Sequence, residues 1–392
     1  MIRPSHILPV IIFSQFTGTS LWFAGNAVVL DLQRDWRLVE QSVGYITAAV
    51  QLGFISGTLV FAYLAIADRF SARRVFFICS LAGAVANIGV LAAPQGLAGL
   101  LMLRFATGFF LAGIYPVGMK IAAGWYEQGL GRALGYLVGA LVLGTAFPHL
   151  IRSSGAELPW QQVMIGVSAL AAAGGVLMLM LVPDGPYLPK GSAFNPRSLA
   201  IIFRSRLFRA SAFGYFGHMW ELYALWAFIP IWLLAYSKTS GISLNVPLWS
   251  FLVIAIGFLG CAVGGVISAK VGSAKVAAIQ LTISGACCLL SPLFFGSGFT
   301  LFIIFLLIWG ITVVGDSPQF SALNAENAPR EYVGSALTIA NSIGFLITVF
   351  SIQLVNVLLP LIGPQYVFWL LLPGPLVGLW MLKPLLESRP GS

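Results

Sequence analysis

Apolar residues run along this chain in blocks of about 20, the length at which a helix crosses a hydrocarbon core about 30 Å thick. Neither the two-residue alternation of a half-buried strand nor the single stripe of a surface helix persists over such lengths. The blocks fall at 7–30, 43–65, 75–93, 97–119, 133–151, 160–182, 209–235, 247–268, 274–295, 298–320, 333–358 and 362–382. In lipid the backbone has no water to bond, so each block is predicted to be a helix that closes its own hydrogen bonds. The first run is longer than a signal-peptide core and eleven more follow it, so it reads as a span. Between the sixth and seventh blocks lies a basic, proline-rich stretch containing Pro183, Pro186, Pro189, Lys190, Pro196, Arg197, Arg204, Arg206 and Arg209. The expected fold is therefore an all-α membrane protein. Its twelve transmembrane helices form two pseudo-symmetric six-helix bundles, 1–182 and 209–392, joined by a linker at 183–208.

Composition agrees. Of 392 residues 59% are hydrophobic and 8% charged, with mean hydropathy +0.93; a soluble domain is about 25% charged, which excludes a pair of soluble domains. The net charge of +9 does not point to nucleic acid, because the basic residues sit at block ends. Arg69, Arg73, Arg74, Lys120, Lys270, Lys275 and the linker share one side, and the opposite side holds only Arg34, Arg37, Arg152 and Lys238. That bias predicts both termini in the cytoplasm. The first outer loop, 31–40, carries mixed charges and is expected to be solvated. Cys79, Cys261, Cys287 and Cys288 fall inside apolar blocks without a paired C-x-x-C spacing and read as small buried hydrophobes.

The halves echo each other. Asp68-Arg69-Phe70-Ser71-Ala72-Arg73-Arg74 after the second block corresponds to Ala269-Lys270-Val271-Gly272-Ser273-Ala274-Lys275 after the eighth, with Arg69 and Lys270 201 residues apart. Gly108, Gly113 and Pro116 correspond to Gly310, Gly315 and Pro318 at a spacing of 202. Two matches at nearly one offset argue for a duplicated six-helix unit, and duplicated bundles commonly alternate access to a site between them. On these residues the chain resembles the major facilitator superfamily over essentially its whole length. Asp68, Arg69, Arg73 and Arg74 match that family's motif between the second and third helices, with Leu64 and Ser71 in place of its glycines. In the second copy Gly265, Lys270, Gly272 and Lys275 match, and Ala269 replaces the acid. Residues 217–226, Gly-His-Met-Trp-Glu-Leu-Tyr-Ala-Leu-Trp, resemble a stretch of bacterial permeases grouped with cyanate and nitrate transporters.

Candidate chemistry follows from ionisable groups inside blocks, which are costly in lipid and functional by default. Arg104 matches the fourth-helix arginine of the family, and the resemblance implies a cavity and coupling role. A buried arginine stays charged and needs a carboxylate, carbonyls, water or an anion, so a fixed polar network is the other reading. Glu221 and His218, three residues apart, occupy neighbouring positions on one helical face. Glu221 is the proton-coupling or substrate candidate, and His218 is weighted toward a structural hydrogen bond. Asp316 stands near the cytoplasmic end of the tenth block as a titrating, substrate-binding or gate residue. The resemblance implies that Asp68 approaches the start of the eleventh helix as a gate, with Arg69, Arg73 and Arg74 serving gating and topology. It also places Gln15, Trp22, Asn26, Gln51, Tyr115, Trp220 and Trp226 on cavity-bordering helices, where packing is the alternative for the aromatics. Gly135, Gly139 and Gly144 read as helix-packing positions.

The function these features predict is secondary active transport of a small polar or anionic solute by alternating access, as symport or antiport with protons. A proton-driven exporter of drugs or amphipathic metabolites is the alternative; a metal permease or a channel is further off, since consecutive His218 and Met219 point in different directions on a helix. Nitrate is disfavoured because the second and eighth blocks lack the arginines of nitrate-type members. No Walker loop or catalytic constellation marks an enzyme, and no cofactor or metal is expected. The expected setting is a monomer in the lipid bilayer of a bacterial inner membrane, with a small-molecule substrate, protons and no nucleic-acid partner.

Overall fold

Lacking any solvated alternative for their amides, the apolar blocks fold as helices. A computed structural model of the chain describes residues 5–126, 130–155, 158–187 and 198–387. Among these, eleven helices are long and apolar enough to cross a membrane, and Ile7–Thr19 is a shorter apolar one. The first span, α1, is Ile7–Thr19 followed by Ala24–Ala27 and Val29–Asp35. Then come α2 (Ser42–Tyr63), α3 (Ala72–Ile88), α4 (Leu97–Leu111 and Tyr115–Trp125), α5 (Leu130–Ser153) and α6 (Trp160–Leu181). The second half has α7 (Arg206–Ser240), α8 (Val246–Ala255 and Gly257–Val271), α9 (Ser273–Phe295), α10 (Phe299–Gly315 and Ser317–Asn327), α11 (Val333–Ile362) and α12 (Pro373–Glu387).

Several spans are interrupted where continuous helices were expected, and the causes are local. In α1 the Thr19 hydroxyl donates back to Gln15 O at 2.8 Å and Ser20 Oγ to Thr17 O at 2.6 Å; such back-bonding competes with the ladder and bends helices. In α4 and α10 the second segment carries a proline in its first turn, Pro116 and Pro318, where the missing N–H is harmless. The loop expected at 31–40 is solvated at Arg34, Asp35, Arg37 and Glu40, but it begins as helix, Val29–Asp35, and Asp31 is buried. Arg152 Nε donates to Asp31 Oδ2 at 2.9 Å, so at that one residue burial against a cation delivered by α5 replaces solvation.

The chain divides into two compact units, Met1–Ala193 and Phe194–Ser392. In the first, α2 lies against α4 and α3 against α6, with α1 between α5 and α6. In the second, α7 packs on α11 and α12, and α8 on α10. The duplication is visible as shared backbone contacts. A Cβ on Gly108 would overlap Val50 O, and one on Gly310 would overlap Val253 O; Gly57 faces Phe109 O as Gly260 faces Ile311 O. Gly113 and Gly315 repeat the pattern against Cys79 Sγ and Gln280 Oε1. Glycine therefore sets the helix approach in both units, α2 on α4 and α8 on α10. Gly144 likewise accommodates Thr19 and Phe16, whereas a Cβ on Gly135 would meet nothing within 4 Å, so the packing role expected of Gly135 is corrected.

Of the linker, Pro183, Asp184 and Tyr187 are fastened to the first unit. Trp125 Nε1 donates to Pro183 O, Tyr187 N to Gly124 O and Ser71 Oγ to Asp184 Oδ1, each at 2.9 Å. Ser198–Ile202 is helical, and Ser205 caps α7 by accepting from Phe208 N at 3.2 Å. Arg3, Glu157, Pro189, Lys190, Pro196, Arg197 and Arg389 lie outside the described residues, as does the side chain of Arg132.

Candidate functional site

Arg104 is fully buried in the first unit, and neutral groups hold it. Nη2 donates to Asn87 Oδ1 at 2.6 Å and Thr107 Oγ1 at 3.0 Å, and Nη1 to Leu21 O at 3.4 Å. Asn87 is itself fixed, since its Nδ2 donates to Ser168 Oγ at 2.9 Å and Met164 O at 3.2 Å on α6. The interruption of α1 places Leu21 in a turn, and Gly25 lets the arginine stem lie against α1. Among the described residues no carboxylate is within ion-pair distance of Arg104, and its Nε has no hydrogen-bond partner. The polar-network reading thus describes its contacts, while its charge remains uncompensated.

Beside it, α1 and α2 are joined by two polar rungs one turn apart. Trp22 Nε1 donates to Gln51 Oε1 at 3.2 Å and Asn26 Nδ2 to Thr47 Oγ1 at 2.7 Å. Gln15 Nε2 donates to Tyr115 O at 3.4 Å. Gln15 Oε1, Asn26 Oδ1 and Gln51 Nε2 are buried with no hydrogen-bond partner, so each amide keeps one unused polar atom. His149 on α5 is buried, its Nε2 also unpartnered; sequence reasoning passed over it because it is a lone polar residue in an apolar run.

The second unit buries acids instead. Glu221 Oε1 accepts from Trp309 Nε1 at 2.6 Å and from the Ser284 hydroxyl. His218 does not pair with Glu221. Its Nδ1 instead lies 2.8 Å from Asp316 Oδ1, an ion-pair contact. Glu221, His218 and Asp316 are each 1% exposed. Helix periodicity puts His218 and Glu221 side by side on α7, but α10 brings Asp316 to His218 and Trp309 to Glu221, and α9 adds Ser284 to Glu221. Trp220 Nε1 donates to Leu370 O at 3.0 Å beside α12, which makes it a packing anchor; Trp226 is buried against Tyr223. Ser284, Trp309, Asn87 and Thr107 were not anticipated, since only tertiary contact turns them from ordinary span residues into partners.

At one end of the first unit, Asp68 pairs with Lys120 Nζ, which also donates to Ala67 O at 2.6 Å. Arg73 Nη1 donates to Leu179 O at 3.3 Å, and its Nε lies 4.0 Å from Asp184 Oδ2; Arg69 and Arg74 are exposed. Neither glycine replacement in this motif strains the backbone. Leu64 has φ −81° and Ser71 φ −56°, both open to any residue, and it is Ala65 that takes the left-handed turn at φ +51°. In the second copy Gly272 has φ +90°, where glycine is favoured.

A family model described as Major Facilitator Superfamily matches residues 10–352. NiaP of Bacillus subtilis (strain 168), provisionally named a niacin/nicotinamide transporter, is 25% identical over 169 residues, 41% of this chain and 39% of NiaP. The uncharacterized transporter YgaY of Escherichia coli O157:H7 is 27% identical over 213 residues, 52% of each chain. The chain thus spans about half or less of the length of these curated relatives. The crystal structure of the human organic anion transporter MFSD10 (TETRAN) superposes with a TM-score of 0.71 at 14% identity, covering 97% of this chain and 100% of that one. At that identity the likeness shows the fold.

Proposed function

The chain belongs to the Major Facilitator Superfamily, and from that premise we propose that it is a proton-coupled secondary transporter of a small organic anion. Membrane spans and transporter relatives make it an integral membrane transporter. The observation that carries proton coupling is the burial of Glu221, His218 and Asp316 together inside spans of one unit, since intramembrane ionisable groups mark proton and ion pathways. The anionic substrate rests on Arg104, a buried cation without a counter-charge. NiaP's name points to nicotinate as the first solute to try, and MFSD10's to the organic-anion class. Gln15, Asn26 and Gln51 keep unused polar atoms that suit a hydrogen-bonding solute, with Trp22 and Tyr115 beside them.

The mechanism is alternating access between the halves 1–182 and 209–392 in a bacterial inner membrane, both termini cytoplasmic and the chain acting as a monomer. Asp68, Arg69, Arg73, Arg74 and Lys120 form the cytoplasmic gate region. An exporter of amphipathic compounds would draw on aromatic surfaces. In the second unit a cluster of these is self-packed, where Tyr236 stacks on Phe302 with centroids 3.7 Å apart and Trp232 meets Phe295, Phe302 and Phe368, which favours the small-solute reading.

The test is proton movement in proteoliposomes holding a pH reporter, driven by nicotinate and then by other small carboxylates, amino acids, sugars and lipophilic cations. Saturable movement with a carboxylate is the expected result. Saturable radiolabelled uptake without proton movement would remove the coupling, and a response confined to lipophilic cations would remove the anion assignment.

A further inference from the structure

Resting on the proton-coupling reading, we infer that the coupling proton is held by the His218–Asp316 pair, with Glu221 a positioning residue fixed by Ser284 and Trp309. The two buried carboxylates differ in their hydrogen bonds. Glu221 Oε1 receives two donors, from Ser284 and Trp309. Asp316 Oδ1 has only the 2.8 Å contact with His218 Nδ1, and Asp316 Oδ2 and His218 Nε2 have no hydrogen-bond partner. Buried polar atoms are nearly always satisfied in folded proteins, and an unmet one costs about 1–3 kcal/mol. One unmet carboxylate oxygen and one unmet imidazole nitrogen, flanking the Nδ1–Oδ1 contact at 2.8 Å, therefore describe a pair whose hydrogen-bonding state is open to change. Glu221 has no such opening.

The place of Asp316 adds a mechanical consequence. It joins the two segments of α10, standing at the N-cap position of Ser317–Asn327, yet its side chain makes no capping bond and turns toward α7. An aspartate at such a position ordinarily accepts from its own helix's first turn. The proton enters from bulk water and returns there. While the pair holds it, His218 and Asp316 tie α10 to α7; when it leaves, Asp316 is released toward its own helix end. The other titratable groups facing the pair are Glu221 and Tyr215 on α7 and Cys261 on α8, while Cys287 and Cys288 on α9 face Glu221; the sequence of α11 contains none.

Because the chain has 3 histidines, His6, His149 and His218, the pair can be read directly. ¹⁵N-histidine-labelled protein in nanodiscs gives a small set of imidazole signals, and His218→Gln assigns the one of interest. The expected result is a His218 signal that changes with pH in the wild-type chain, a pH profile lost or displaced by about one unit or more in Asp316→Asn, the scale on which a neighbouring charge acts, and a profile kept in Glu221→Gln. A His218 signal indifferent to pH, or one displaced as far by Glu221→Gln as by Asp316→Asn, overturns the assignment. Should Asp316→Asn not fold, Ser284→Ala serves: it strips a donor from Glu221 and should leave the His218 profile in place, and a displaced profile counts against the pair. The underlying reading fails separately, when the wild-type chain transports nicotinate or another solute without moving protons.

Discussion

In the first unit the buried charges are Arg104, held by Asn87, Thr107 and the Leu21 carbonyl, and Asp31, paired with Arg152 at a helix end; among the described residues of the second they are two carboxylates and a histidine with no lysine or arginine bonded to them. Yet the skeletons agree contact for contact, Gly108 on Val50 O with Gly310 on Val253 O, and Gly57 on Phe109 O with Gly260 on Ile311 O. Backbone approach is a steric constraint that admits one side chain, so it survives duplication. A buried polar group is constrained only to find a partner, and each unit has found different ones. The comparison teaches which residues build the frame and which give each half its chemistry.

The largest expected effect follows from the shared frame. Gly108→Val and Gly310→Val should each abolish folded protein, because a side chain there meets carbonyl oxygen rather than a yielding side-chain tip. Gly135→Ala should stay within about 0.5 kcal/mol of wild type, and monodisperse yield with thermal melting in detergent separates the two classes. A tolerated valine at only one of the pair would show that the halves do not share this constraint.

Next come the partners of the buried charges. Asn87→Ala removes an acceptor from Arg104 and strands a charged donor, a loss of about 1.5–3 kcal/mol. Trp309→Phe removes one donor from Glu221 and keeps the ring, costing about 1–3 kcal/mol, with Ser284 still in place. Arg104→Lys keeps charge but loses the forked geometry that reaches Asn87 and Thr107 together, so uptake of a carboxylate substrate should fall about tenfold or more, as one lost charged hydrogen bond implies. Uptake unchanged in Arg104→Lys and in Arg104→Ala would sink the anion role.

What could be read beforehand divides along the same line. Block lengths showed the helices, and the Gly108/Gly310 and Arg69/Lys270 spacings showed the duplication, because both are periodic in one dimension. The ionisable candidates were legible because polarity inside an apolar block is conspicuous. The partners were not: Trp309 lies 88 residues from Glu221, and nothing in its own neighbourhood marks it as a hydrogen-bond donor to an acid. The break at Ser20 was hidden as well, since hydropathy does not change where hydroxyls turn back onto the ladder. His218 and Glu221 do share α7 as their spacing implied, but the spacing could not show that their partners, Asp316 for one and Ser284 with Trp309 for the other, come from distant helices.

The smallest effect belongs to the strap that fastens the linker's start to the first unit, a feature for which the second unit's structure gives no counterpart to compare. Asp184 is 43% exposed in its side chain and touches Ser71 and Arg73; exposed pairs contribute about 0–1 kcal/mol, so Asp184→Ala should leave the melting temperature nearly unchanged. Gly185 is different, because a Cβ there would overlap Gly124 O at the end of α4, and Gly185→Ala must lift the strap off that helix. Removal of the strap exposes the Trp125 indole that now donates to Pro183 O. In a chain whose other tryptophans are replaced by phenylalanine where folding permits, iodide quenching of Trp125 should rise in Gly185→Ala and not in Asp184→Ala. Equal quenching in both variants would mean that the charge contacts, and not the close backbone approach, hold the strap down.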